Sequence, residues 1–174
     1  MKKLISVMAI VGLFLCTTVS AETFLSKSWI WSTDDKDFYF AATANTAKHL
    51  LAQYCYFKSD SCIYMVSMGI NCKEGDQYPA LINSDAGACS LNLVCGAKIE
   101  NENLLVVNKF EDIDGILRKA TLIGFAVPID NDQFKVSRFN LDGSINAIDL
   151  MRAAFEAKKK SEPQKSSLPD EERL

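Results

Sequence analysis

Apolar and polar residues alternate with a period of two through the middle of the chain. From Cys62 to Cys72 the even positions are Cys62, Tyr64, Val66, Met68, Ile70 and Cys72, whereas the odd positions include Ser67, Gly69 and Asn71. Successive side chains of a strand point to opposite faces, so this run predicts a strand over 62–70 with its even face toward a core. Between Cys89 and Cys95 the apolar positions are odd (Cys89, Leu91, Leu93, Cys95), opposite Ser90 and Asn92, and a second strand is expected over 88–99. Further strands are expected over 38–44, with Phe38 and Phe40 on one face and Tyr39 on the other, and over 80–83, 104–110, 121–129 and 134–140. Pro128 is expected to break the strand over 121–129, because proline cannot donate to a ladder.

Residues 47–53 carry two patterns. Their residue types favour helix, yet Leu50, Ala52, Tyr54 and Tyr56 alternate with Leu51, Gln53 and Cys55. The alternation and the aromatic end favour a strand over about 50–57. The period changes at Ile113, Ile116, Leu117 and Ala120, which fall on one helical stripe, and Asp112 is the candidate cap. A second helix is expected from Ser144, also a candidate cap, with Ile145, Ile148, Met151 or Arg152, and Phe155 as its buried stripe. Lys158, Lys159 and Lys160 suit the negative end of its dipole.

The connections are short and built from turn residues, among them Lys58–Ser59–Asp60–Ser61, Ser84–Asp85–Ala86–Gly87 and Asp130–Asn131–Asp132–Gln133. Short turns join antiparallel neighbours. The fold expected is therefore α+β: a mostly antiparallel, meander- or sandwich-like sheet with the C-terminal helix packed on it, stabilised by disulfides.

The two ends of the chain bound this domain. Met1–Lys2–Lys3, an uncharged run over 4–15, and Val19–Ser20–Ala21 have the three parts of a secretory leader. The expected organisation is a signal peptide over 1–21, one globular domain over 22–160 and a charged disordered tail over 161–174, whose composition cannot bury enough apolar surface to order itself. The short two-lysine start has a bacterial character, so the expected location is periplasmic or secreted. Loss of Lys2 and Lys3 with the leader leaves 17 basic against 22 acidic side chains, a net charge of −5 compared with −3 for the whole chain. No basic patch interleaved with aromatics argues for nucleic acid. No stable membrane insertion is expected once the leader is gone.

Cys55, Cys62, Cys72, Cys89 and Cys95 all lie in that domain, and in an oxidising compartment they should pair where geometry allows. The preferred pairing joins Cys55 to Cys62 across a tight turn and Cys72 to Cys95 between strands, leaving Cys89 as a buried thiol. The rival pairing is Cys72 with Cys89, leaving Cys95 free. No Cys-x-x-Cys occurs, and His49 is the single histidine. The spacings therefore give neither a dithiol redox motif nor a zinc set.

Other chemistry is sparse. Asp34, Asp35 and Asp37 lack the glycine turn and distal glutamate of an EF-hand. Ser84 and Asp85 have no third partner and no Gly-x-Ser-x-Gly elbow. Asp76, Asp85 and Glu111 could serve an exported hydrolase only if two of them flanked one cleft. Trp29 and Trp31, on one side of an extended segment, are read as packing rather than as a ligand platform. No catalytic residue, metal or cofactor is implied. The expectation is a small exported, non-catalytic protein that binds a protein or cell-envelope partner, with a carboxylate hydrolase as the alternative and chain-linking or oxidant sensing by Cys89 as a third.

Overall fold

A computed structural model describes residues 23–99, 101–129 and 132–161. The leader expected over 1–21 and the tail beyond Ser161 lie outside the described residues. Ten strands form one antiparallel sheet: β1 Thr23–Ser26, β2 Trp29–Ser32, β3 Phe38–Ala44, β4 Leu50–Tyr56, β5 Ser61–Ser67, β6 Gln77–Ser84, β7 Gly87–Ile99, β8 Glu102–Val107, β9 Leu122–Ile129 and β10 Gln133–Asn140. Their spatial order is β1-β2-β3-β4-β5-β8-β7-β6-β9-β10. Helix α1 (Phe110–Leu117) precedes β9, and α2 (Ser144–Ser161) follows β10 and packs on β1 to β4. The α+β, disulfide-stabilised architecture read from the alternation is the one present.

Strand alternation places one row of side chains from each strand in a common core. Tyr39, Ala41, Leu51, Cys55, Tyr64 and Val66 from β3–β5 meet Ile82, Leu91, Leu93, Cys95, Leu105, Ile123, Phe125 and Phe139 from the rest of the sheet. Ile148, Met151 and Phe155 of α2 and Ile113 and Leu117 of α1 cover the same face. Burial of so many aliphatic and aromatic groups, each contributing roughly 1.5–3 kcal/mol, is the main stabilising term.

The sheet rolls until its last strand meets its first elements. The Trp29 indole donates to Asn140 O at 3.0 Å, Ser28 N to Asp142 O at 3.2 Å, and the Ser26 hydroxyl to Gly143 O at 3.1 Å. Gly143, at φ 95°, allows this close approach, because a Cβ there would run into the Ser26 carbonyl oxygen. Gly143→Ala is therefore expected to lose roughly 2–4 kcal/mol, the sum of a left-handed backbone penalty and an overpacking term. Gly75, at φ 88° with open space around it, should cost only about 1–2 kcal/mol when changed to Ala. Urea midpoints of the two variants measure the difference.

Three local expectations are corrected. Pro128 does not break β9, which runs to Ile129. Pairing of β9 with β6 stops at Ala126, so Pro128 is paired on one side only, with Phe134 of β10, an edge position of the kind where proline is tolerated. Asp112 is not the cap of α1. Lys109 holds that position without a side-chain bond, and Asp112 lies in the first turn 3.8 Å from the Lys109 ammonium. Ser144 opens α2, but its hydroxyl donates to Leu117 O at 3.1 Å and so ties the end of α1 to the start of α2. In addition, Gln77, Tyr78 and Pro79, expected in a loop, belong to β6.

Candidate functional site

Both helices cover the inner face of the sheet. The outer face of β3 and β4 carries Phe38, Phe40, Tyr54 and Tyr56, because these positions alternate with the buried Tyr39, Ala41, Gln53 and Cys55. Register sets Phe38 opposite Tyr56 and Phe40 opposite Tyr54. The rings form one continuous group. Phe40 stacks on Tyr54 with centroids 5.7 Å apart and planes at 29°, Tyr54 stacks on Tyr56 at 6.2 Å and 21°, and Phe38 meets Tyr54 edge-on at 5.4 Å. Such pairs contribute about 0.5–1.5 kcal/mol each beyond their buried area.

Beside the rings, Ala42, Ala52 and Met65 are buried although they stand apart from the main core, and Ile63 lies opposite Tyr54 on β5. The result is a half-buried aromatic platform on a sheet face that no described helix covers. Burial pushes the Tyr54 and Tyr56 hydroxyls above the ordinary tyrosine range, and for Tyr54 the neighbouring Tyr56 adds to the shift. Both tyrosines stay neutral at physiological pH and can donate or accept a hydrogen bond.

The β2–β3 loop borders the Phe38–Tyr56 end of this platform, where Phe57 N donates to Asp37 O at 3.0 Å. Asp34, Asp35 and Asp37 all lie in this loop with a single lysine, Lys36. Asp35 Oδ1 accepts from Asp37 N at 2.7 Å, and among the described residues none of the three carboxylates forms an ion pair. At the adjoining turn the Asp60 carboxylate is engaged by Lys159 of α2.

Inside the sheet lies a polar network. Asp114 of α1 accepts from the Tyr64 hydroxyl at 2.6 Å, from Arg152 of α2 at 2.5 Å and from Arg118 at 2.9 Å. Arg152 also donates to Gln53 Oε1 at 2.8 Å and sits over the Phe110 ring. Gln53 Nε2 has no partner among the described residues. Burial alone would raise the Asp114 pKa, but the bonds from Tyr64, Arg152 and Arg118 outweigh it and hold the carboxyl below its ordinary value. Arg118 also pairs with Asp149 at 2.8 Å. The Tyr64 hydroxyl and both guanidinium groups already have acceptors, so the cluster works as a clamp between sheet and helices.

The residues singled out from the sequence are scattered. Disulfides join Cys55 to Cys62 and Cys72 to Cys95, and Cys89 is a free thiol, half-buried rather than fully enclosed. Burial, followed by the charge of Asp112, raises the Cys89 pKa, which disfavours the reactive thiolate. Asp76 and Asp85 flank opposite ends of the eight-residue β6, which sets them roughly 30 Å apart along a strand. The Asp85 carboxylate is occupied by the Thr121 hydroxyl at 2.6 Å and by the Thr121 and Leu122 amides. Glu111 is an exposed first-turn residue of α1, and Ser84 closes its own turn by donating to Gly87 O at 2.8 Å.

His49 has a partner that sequence reasoning missed. Its Nδ1 lies 2.8 Å from the hydroxyl of Ser137, 88 residues away, which pins β10 against the β3–β4 connection. Ser137 is only 2% exposed, so its oxygen is not presented to a substrate. Trp29 is fully buried and Trp31 stacks on Phe24 at 4.2 Å, so this pair packs, as its position indicated. The half-buried aromatics that gather on the outer face are the four on β3 and β4, for which the signal was two successive strands each with aromatics two residues apart.

No family model matches the chain, and no curated protein does. Among solved structures it is similar to the crystal structure of invasion-associated protein B from Bartonella henselae, at 13% identity and a TM-score of 0.58, over 78% of this chain and 99% of that one. At this identity the likeness is one of fold.

Proposed function

We propose that the chain is a non-catalytic binding protein of the cell envelope and that it holds a protein partner on the outer face of β3 and β4. The two intrachain disulfides suggest export to an oxidising compartment, where such bonds form and persist. Among the described residues no helix is long and apolar enough to cross a membrane, and no cluster of metal-ligating side chains occurs. The observation that carries the reading is the stacked group Phe38, Phe40, Tyr54 and Tyr56 on a face left bare by both helices. Aromatic residues are enriched at the centres of interfaces, where a flat ring contributes large contact area at little entropic cost. The likeness to invasion-associated protein B supports a shared architecture and no more. For the alternative hydrolase reading, the separation of Asp76 from Asp85 removes one carboxylate pair.

Site-specific photo-crosslinking tests this proposal. The oxidised protein would carry a benzophenone side chain at Tyr54, at Phe40 or at the remote exposed Lys98, and would be exposed to native envelope material. One and the same partner captured from positions 54 and 40 but not from 98 is the expected result. Equal capture from all three, or none from 54 and 40, would overturn it.

A further inference from the structure

We infer that the aromatic platform takes a cationic, extended segment of its partner, one that lays arginine or lysine side chains over Tyr54 and Tyr56 and toward the β2–β3 loop. This rests on the reading above and specifies the chemistry of that same site. Two properties of one place converge. The rings of Tyr54 and Tyr56 stack at 6.2 Å with planes at 21° and are only partly buried, and the π-surface they leave in solvent attracts a guanidinium or ammonium group. At the Phe38–Tyr56 end stand three carboxylates, Asp34, Asp35 and Asp37, with Lys36 in the loop and Lys58 at the adjoining turn, and no described side chain neutralises them by an ion pair.

The nearby Asp60 shows what satisfaction looks like, since Lys159 already engages it. Charge complementarity also separates the possible occupants. A neutral glycan can donate hydroxyl hydrogen bonds to the three carboxylates but gains no attraction between opposite charges. A second copy would bring the same loop and the same acidic excess, −3 over the whole chain. A basic segment alone adds charge attraction at both the rings and the acids.

The test uses the mature, oxidised chain and two acetylated, amidated pentapeptides, Arg-Leu-Arg-Leu-Arg and Glu-Leu-Glu-Leu-Glu, titrated calorimetrically at ~50 mM and ~300 mM salt. The arginine peptide is expected to bind and the glutamate peptide not. Tyr54→Ala should weaken binding about tenfold, the scale of a partly desolvated cation–π contact. The triple change Asp34→Asn, Asp35→Asn, Asp37→Asn lies in an exposed loop and leaves the core untouched. It should weaken binding about tenfold at low salt and flatten the salt dependence. A charge-matched control, Glu74→Gln with Glu111→Gln and Asp132→Asn, all remote and exposed, should bind as the parent does.

Binding of both peptides alike, indifference to Tyr54→Ala in a protein with unchanged near-UV circular dichroism, or indifference to the loop triple would each overturn the inference. So would tighter binding of chitotetraose, or a dimer in sedimentation that the loop triple does not alter. If the arginine peptide fails while photo-crosslinking at positions 54 and 40 still captures one partner, this inference falls and the proposed function stands.

Discussion

Loss of both disulfides is expected to lower the stability of the protein by about 6 kcal/mol. In the chain-entropy account the Cys55–Cys62 link, closing 7 residues, contributes roughly 2.5 kcal/mol, and the Cys72–Cys95 link, closing 23, roughly 3.5. A small domain has only about 5–15 kcal/mol in total. The second link carries more than chain entropy. Cys72 lies in the connection between β5 and β6, and the bond fastens it to β7, beside the Gly75 N to Cys95 O and Cys95 N to Asp76 O bonds, both 2.8 Å. Urea unfolding of the oxidised protein and of the Cys55→Ser/Cys62→Ser and Cys72→Ser/Cys95→Ser variants measures each part. The second variant should be the weaker, and a combined loss under about 2 kcal/mol would contradict the entropic assignment.

Asp114→Ala should be the most damaging single change among the charged residues, at about 2–4 kcal/mol. Removing it takes the acceptor from the Tyr64 hydroxyl and the charge partner from Arg152, which keeps only Gln53, and leaves Arg118 with Asp149 alone. A fully sealed pair costs about 3–5 kcal/mol to break. Here Arg118 keeps 37% of its side chain in water, which lowers the figure.

The same carboxyl gives an acid signature. Its folded pKa lies below the unfolded value of about 3.9. Its stabilisation is therefore complete above that value and lost as pH falls through the depressed folded one. Stability measured between about pH 5 and pH 2 should fall less steeply in Asp114→Asn than in the parent, because the asparagine has no proton to take up. Equal slopes would show that Asp114 does not titrate as described.

How much of this was legible in the sequence follows from the range of each signal. Two-residue alternation reports which face a side chain takes, and it placed Tyr64, Val66, Leu91 and Leu93 in the core and marked the cysteines at the ends of core-facing stripes. It says nothing about which strands are neighbours, so the insertion of β6 and β7 between β8 and β9 was out of reach. Cap positions were misread at Asp112 and Ser144 because a short polar side chain near a helix start has several possible partners. Ser144 found a long-range one in Leu117 O. The Asp114–Arg152 and His49–Ser137 contacts span 38 and 88 residues and leave no local trace. The aromatic platform was half-visible: the faces of Phe38 and Phe40 were read correctly, but only register shows that Tyr54 and Tyr56 stand opposite them.

The seam that closes the rolled sheet also constrains when the molecule can mature. Ser26 and Gly143 are 117 residues apart, Trp29 and Asn140 are 111 apart, and Ser26 and Asn146 are 120 apart. Such distant encounters carry the largest ring-closure entropy and come late in folding. A nascent chain therefore lacks its latch until α2 has emerged, and up to that moment it is a loosely joined set of hairpins. The two disulfides close only 7 and 23 residues and need no such distant encounter, so they can form before the latch does and narrow the search for it.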